Sequence, residues 1–252
     1  MPVTYFAEHA WVGGAIASGV AIEVSGGRIT GVRTGLAAPP PGAEVLRGLT
    51  LPGLANAHSH AFHRALRGIA QRGSGTFWTW RETMYEVAGR LDPDSYLELA
   101  RAVYAEMALA GITCVGEFHY LHHAPGGVPY DDPNAMGEAL IEAAAQAGIR
   151  ITLLDTCYLS SGFGAPPERH QLRFSDGDAD AWAARASELK ERPHARVGAA
   201  VHSVRAVPAG QIATVARWAA ERDAPLHVHL SEQPAENEAC LAAHGRTPAG
   251  LL

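Results

Sequence analysis

Along the first 48 residues apolar and polar positions alternate one by one, whereas from residue 50 onward short apolar runs alternate with longer amphipathic stretches. In the first segment Ala21-Ile22-Glu23-Val24 and Arg28-Ile29-Thr30-Gly31-Val32 carry the period of two of half-buried strands. Ser25-Gly26-Gly27 between them is a turn signal. Residues 36–42 include three consecutive prolines, Pro39 to Pro41, and predict a linker. The chain therefore divides into a small β-domain over 1–48 and a main domain over 49–252.

In the main domain the pattern predicts strands near residues 51–58, 112–118, 149–156, 195–201 and 225–230. Helices are predicted over about 77–90, 94–110, 134–148, 178–191, 208–222 and 233–244. Asp94 is the expected N-cap of the second helix, and Gly111 and Gly148 are stop signals. Five strands, each followed by helix, imply parallel pairing with right-handed crossovers. The 160–176 stretch, rich in Gly, Pro and Arg, reads as a loop over the strand ends. His58 and His60, His119 and Tyr120, His202 and Arg205, and His229 to Glu232 then all fall at carboxyl ends of parallel strands, where α/β barrels place their active sites.

Composition narrows the classes. Nearly half the chain is hydrophobic and the formal charge is -6, which supports a sizeable core and argues against a nucleic-acid partner. No run approaches the roughly 20 apolar residues of a membrane span, and the expected location is the cytoplasm. Cys114, Cys157 and Cys240 lack C-x-x-C spacing; Cys114 and Cys157 read as small buried hydrophobes in a reduced compartment. Lys190 is the single lysine among 20 basic side chains, so a catalytic lysine has almost no candidates.

The stretch LPGLANAHSHAFHRALRG (51–68) ends an apolar run in His58-Ser59-His60, which puts two imidazoles on one side of a strand end. A second His-x-His, His227 and His229, ends the fifth strand far away in sequence. One His-x-His is ordinarily two surface histidines; two of them at strand ends offer the ligand set of one divalent ion. Either His227 or His229 could be the third ligand. Glu232, three residues after His229, favours His229, because it places a carboxylate beside a metal-held water, where it can move a proton. The same carboxylate also suits a helix N-terminus.

The strings LPGLANAHSHAF, GITCVGEFHYLHH, HSVRAV and PLHVHLSEQ, with FWTWRETMY over 77–85, resemble the metal-dependent amidohydrolase superfamily, deaminase branch. Within it they most closely resemble the formimidoylglutamate deiminases. The resemblance implies a (β/α)8 TIM-type barrel, present here as about five βα units, and a composite β-sandwich to which residues 1–48 contribute. It implies hydrolysis of N-formimino-L-glutamate to N-formyl-L-glutamate and ammonia, in histidine degradation. By the motifs His58, His60 and His229 are the expected zinc ligands and Glu232 the proton shuttle. Arg81, Tyr120, His202 and Arg205 match substrate-contacting positions, and the two arginines suit a dicarboxylate. His63 stands where some relatives carry glutamine, and it is counted among the substrate-binding residues. His122 and His123 read as loop histidines.

One Zn2+ per chain is expected, with Fe2+ as the alternative metal. Binuclear relatives bridge two metals with a carboxylated lysine at the end of the fourth strand; here that strand ends at His202, and Lys190 is predicted to lie in the preceding helix. The resemblance puts a sixth-strand histidine and an eighth-strand aspartate beyond Leu252, so the chain reads as the first part of a longer protein, inactive alone. The expected partner is a small-molecule dicarboxylate, with no nucleic acid and no membrane, and a homodimer is the assembly to test. Two competing readings are a deaminase of a guanine-, cytosine- or triazine-like ring and a truncated barrel without turnover.

Overall fold

A computed structural model describes residues 2–69 and 77–252, without the side chains of Phe77 and Trp78, which belong to the FWTWRETMY string and lie outside the described residues. The chain forms two compact units, Met1–Gly53 and Leu54–Leu252.

The first unit is one four-stranded sheet of β1 (Val3–Val12), β2 (Ala15–Ser25), β3 (Arg28–Arg33) and β4 (Glu44–Thr50), in the order β3-β2-β1-β4. Hairpins join β1 to β2 and β2 to β3, and β4 pairs parallel with β1. The Gly26-Gly27 turn has φ of 58° and 75°, values at which two successive side-chain-bearing residues would be strained. Its core is small, built on Ala7, Ala10 and Val20.

The second unit follows the βα pattern. Strands β5 (Leu54–Ser59), β6 (Ile112–His119), β7 (Arg150–Cys157), β8 (Ala195–Ser203) and β9 (Leu226–His229) pair in parallel and in sequence order. They form a curled partial TIM-type barrel. Between and after them run α1 (Phe77–Ala88), α2 (Pro93–Leu109), α3 (Ala135–Ala147), α4 (Ala179–Ala186), α5 (Ala209–Glu221), α6 (Pro234–His244) and the short α7 (Pro248–Leu251). No helix among the described residues is long and apolar enough to cross a membrane.

Local chemistry sets the helix ends. The cap of α2 is Asp92 rather than Asp94: its carboxylate accepts from Ser95 N at 2.9 Å while Ser95 Oγ accepts from Asp92 N at 3.0 Å. This reciprocal pair satisfies two otherwise orphaned donors, and Pro93 suits the first helical turn. Gly148 closes α3 in the left-handed region, as its position predicts. Two expectations are corrected. Helix α4 ends at Ala186, so Lys190 follows the helix instead of lying in it. The 160–176 loop contains a 3-10 helix, Arg169–Phe174, that carries a buried glutamine into the core.

Candidate active site

The carboxyl ends of β5 and β9 bring three imidazoles together. His229 Nε2 lies 3.3 Å from His60 Nε2 and 3.3 Å from His58 Nε2. His60 Nδ1 is 2.9 Å from the Phe118 carbonyl oxygen, which can only accept, so Nδ1 carries the proton and Nε2 offers its lone pair. His229 is likewise tied to the main chain of His202. Burial and the neighbouring imidazoles hold His60 well below the ordinary histidine range. They push His229 down to about 4. His58 is lowered by burial and then by His227. Three neutral rings with converging lone pairs repel one another unless a cation lies between them. Tetrahedral zinc with Zn–N near 2.0–2.1 Å sets its ligand nitrogens about 3.3–3.4 Å apart. The donor set therefore fits one zinc-sized ion. His227 does not join the group.

Two residues of β6 hold this corner, and sequence reasoning did not single out either. Glu117 is fully buried, and its Oε1 accepts from Ala61 N at 2.6 Å, immediately after His60. Burial raises the Glu117 carboxyl to about 7 against the pull of hydrogen bonds from Ala61, Ser59 and Tyr104. A carboxylate inside the apolar run ITCVGEF was the available signal, since an acid buried in a strand needs partners. At Gly116 a Cβ would stand 2.8 Å from the Ala57 carbonyl oxygen, so any side chain there would push away the strand that carries His58.

Around the histidines opens a cavity of about 320 Å³, and every predicted site residue lines it. His63 Nε2 lies 2.9 Å from the Tyr120 hydroxyl, and the ring stands edge-on to Trp80. Burial pushes His63 down to about 3, and the neighbouring His229 and His58 rings add to it. His202 packs edge-on against Tyr120, Tyr158 and His229, and burial keeps it neutral. Arg205 comes within 3.6 Å of the Glu232 carboxylate. Burial raises Glu232, and Arg205 opposes that rise. The preceding Ser231 has φ of 54°, a conformation a non-glycine residue adopts at a cost of order 1–3 kcal/mol. The strain turns the chain between His229 and Glu232. The Arg81 guanidinium lies 5.6 Å from the centre of the Tyr85 ring. Tyr85, Tyr158 and Met84 also line the cavity; Met84 and Tyr85 end the FWTWRETMY string, but none of the three was given a role from the sequence.

His122 and His123 lie in the loop after β6, as expected, but not on the surface. Both are buried, and they flank a polar network behind the cavity. Arg185 makes paired contacts to Asp155 and Asp176, Trp182 Nε1 donates to Asp155, and His123 Nε2 meets Asp176 at 3.0 Å. His119, His122 and Asp155 have the spacing of a metal group. The Arg185 charge and three donors on Asp155 already satisfy that carboxylate. His122 stands 3.9 Å from Asp155, and burial followed by the Arg185 charge pushes it down to about 4; the pair is not an ion pair at neutral pH.

A parallel βα sheet with a histidine triad at its carboxyl ends is the arrangement of metal-dependent barrel hydrolases. The Amidohydrolase family model matches residues 49–250, and the chain belongs to this family. It is 41% identical over 251 residues to a formimidoylglutamate deiminase of Pseudomonas aeruginosa, covering 96% of this chain and 54% of that protein. To an 8-oxoguanine deaminase of the same organism it is 30% identical over 213 residues, covering 80% of this chain and 44% of the other. The chain spans about half the length of these curated relatives. Among solved structures, an amidohydrolase from Brucella melitensis superposes with a TM-score of 0.90 at 37% identity, over 98% of this chain and 56% of that one. An atrazine chlorohydrolase from Arthrobacter aurescens, solved with zinc, shares the fold at a TM-score of 0.81 and 22% identity, over 99% and 57% of the two chains.

Proposed function

We propose that this protein is a zinc-dependent deiminase that hydrolyses N-formimino-L-glutamate to N-formyl-L-glutamate and ammonia. The observation that carries the reading is one cavity lined by three convergent imidazoles, one carboxylate and two arginines. The identity to a formimidoylglutamate deiminase supports it.

His58, His60 and His229 would hold the ion. When bound, zinc acts as a Lewis acid and acidifies water to near neutrality. Glu232 does the proton work. Its partly buried carboxylate takes a proton from the attacking water and delivers it to the formimino nitrogen. It then carries the remaining hydroxyl proton of the adduct to the same nitrogen, so that the C–N bond breaks, ammonia leaves and the carbonyl forms. Burial raises its affinity for the proton while Arg205 keeps it ionised enough to act as a base. Tyr120 and His202 supply hydrogen bonds at the cavity wall, and His63 orients Tyr120. Arg81 and Arg205 recognise the carboxylates of a glutamate-derived substrate, for which planar, permanently charged donors are suited. The three cysteines are free, which suits a reducing compartment, and the cytoplasm is the proposed location.

The test compares substrates across Arg81→Ala and Arg205→Ala. For a dicarboxylate, ammonia release from N-formimino-L-glutamate falls by roughly a hundredfold in each variant, as expected for loss of a charge-assisted contact. Ammonia release from a guanine- or triazine-type ring, indifferent to both substitutions and with none from the formimino substrate, overturns the reading.

A further inference from the structure

The end of the cavity lined by Arg81 and Arg205 also carries two phenols, Tyr85 and Tyr158, neither of which has a role above. Behind them lies Gln171, 1% exposed, on the 3-10 helix Arg169–Phe174. The Gln171 Oε1 accepts the main-chain N–H of Glu168 at 2.8 Å. An N–H cannot donate to an amide NH2, so this contact fixes which end of the Gln171 amide is which. Its Nε2 then faces the Tyr85 hydroxyl at 2.9 Å and the Tyr158 hydroxyl at 3.0 Å. The two amide hydrogens are spent, one on each phenol oxygen.

A phenol whose oxygen accepts still has its own O–H to donate. Tyr158 and Tyr85 are close enough for one to give its proton to the other. Even then, one O–H is left over, and among the described residues neither hydroxyl has a further hydrogen-bonding partner. Burial pushes the Tyr158 phenol up while the Arg205 and Arg81 charges pull against it, so both guanidiniums act on this end of the cavity. The protein therefore holds here at least one phenolic O–H that has no acceptor among the described residues. Tyr158 packs 4.6 Å from His202, which in turn packs 5.3 Å from His229, so this wall is one ring removed from the histidine cluster.

We infer that Tyr85 and Tyr158, held as donors by Gln171, form with Arg81 a subsite for the substrate carboxylate that lies farther from the reacting carbon. A carboxylate is anionic, planar and purely accepting, which matches a wall of two guanidiniums and oriented phenolic O–H groups. The inference rests on the proposed function for the identity of the substrate, but the subsite can be tested without turnover.

The experiment is calorimetric titration of glutarate into the zinc-loaded protein and its Tyr85→Phe, Tyr158→Phe and Gln171→Glu variants, with KM and kcat for N-formimino-L-glutamate measured alongside. Each Phe variant weakens glutarate by roughly ten- to a hundredfold, the effect of losing a hydrogen bond to a charged group, and raises KM more than it lowers kcat. Gln171→Glu keeps both phenols but offers them an acceptor, so their O–H groups turn away from the cavity and glutarate binding weakens as well. That variant gives the same reading if a Phe variant fails to fold. No glutarate binding to the unaltered protein, or binding equal in all four proteins, overturns the subsite. Hydroxyl-dependent glutarate binding without ammonia release keeps the subsite and discards the reaction; ammonia release indifferent to both phenols does the reverse.

Discussion

His60 and His229 are separated by 169 residues, yet their Nε2 atoms lie 3.3 Å apart. Their strands, β5 and β9, are the outermost two of a five-stranded sheet. In a flat sheet four spacings of about 4.8 Å would put them about 19 Å apart. The contact exists because the sheet curls, as a barrel wall does, so that side chains from its edges meet over its carboxyl end. Chain topology thus builds the ligand pair.

That contact predicts a cooperative ligand set. His60→Ala or His229→Ala lowers zinc affinity by more than the 10- to 100-fold typical of losing an outer partner. Competition against a calibrated chelator measures it. A loss of less than tenfold in both variants would remove the triad from metal binding.

Glu117 holds the turn that carries His60 from behind, through the Ala61 N–H that follows it. Glu117→Leu orphans that buried donor and frees the ligand-bearing turn, so zinc affinity falls by roughly 10- to 100-fold. Glu117→Gln retains an accepting oxygen and loses much less. Equal zinc affinity in the Leu and Gln variants would show that the carboxylate does not position the ligands.

The histidine cluster was legible in the sequence because strand alternation and strand ends fix where side chains at i and i+2 go. His58, His60 and the His227–His229 pair follow from that rule and the βα repeat, and the spacing to Glu232 favoured His229. Arg81, Tyr120, His202 and Arg205 rested on resemblance to a family, and the fold brings each to the same cavity. What stayed hidden depends on contacts between segments distant in sequence. Glu117 meets Ala61 across 56 positions, and Gln171 meets Tyr85 across 86. No local pattern announces either pair. His122 and His123 lie in a loop, as read, but their burial was not legible, because the loop is tied down by Arg173, whose carbonyl accepts both of their main-chain N–H groups. The N-cap shift from Asp94 to Asp92 shows that two aspartates around one proline cannot be ranked by type alone.

Arg185 bridges Asp155 and Asp176 in the interior. Burial alone would raise both carboxyls. The Arg185 charge and hydrogen bonds, joined at Asp176 by His123, more than offset it and hold both below the usual carboxylate range. With folded values below the unfolded value near 4, this stabilisation is fully present above about pH 4 and is lost as pH falls through the folded values. Arg185→Met leaves two buried carboxylates without their cation and costs about 3–5 kcal/mol at pH 7. Urea unfolding should show the gap narrowing at pH 3; a gap equal at both pH values would contradict the network's role.

At His63 the ring nitrogen meets the Tyr120 hydroxyl at 2.9 Å. A glutamine amide offers a similar contact, so His63→Gln should keep KM for the formimino substrate within about threefold. His63→Ala leaves Tyr120 only the weak Met84 sulfur contact and should raise KM roughly tenfold. A larger defect in the Gln variant than in the Ala variant would mean that the imidazole acts in another way.

Ammonia release from N-formimino-L-glutamate by the zinc-loaded full-length product, with Glu232→Ala measured beside it, tests the central claim most directly. The account predicts turnover that falls by roughly 10²–10⁴ in the variant, the usual worth of a positioned acid–base group, while zinc binding is retained. Turnover unaffected by the substitution, or no ammonia from a protein that holds zinc, would contradict it.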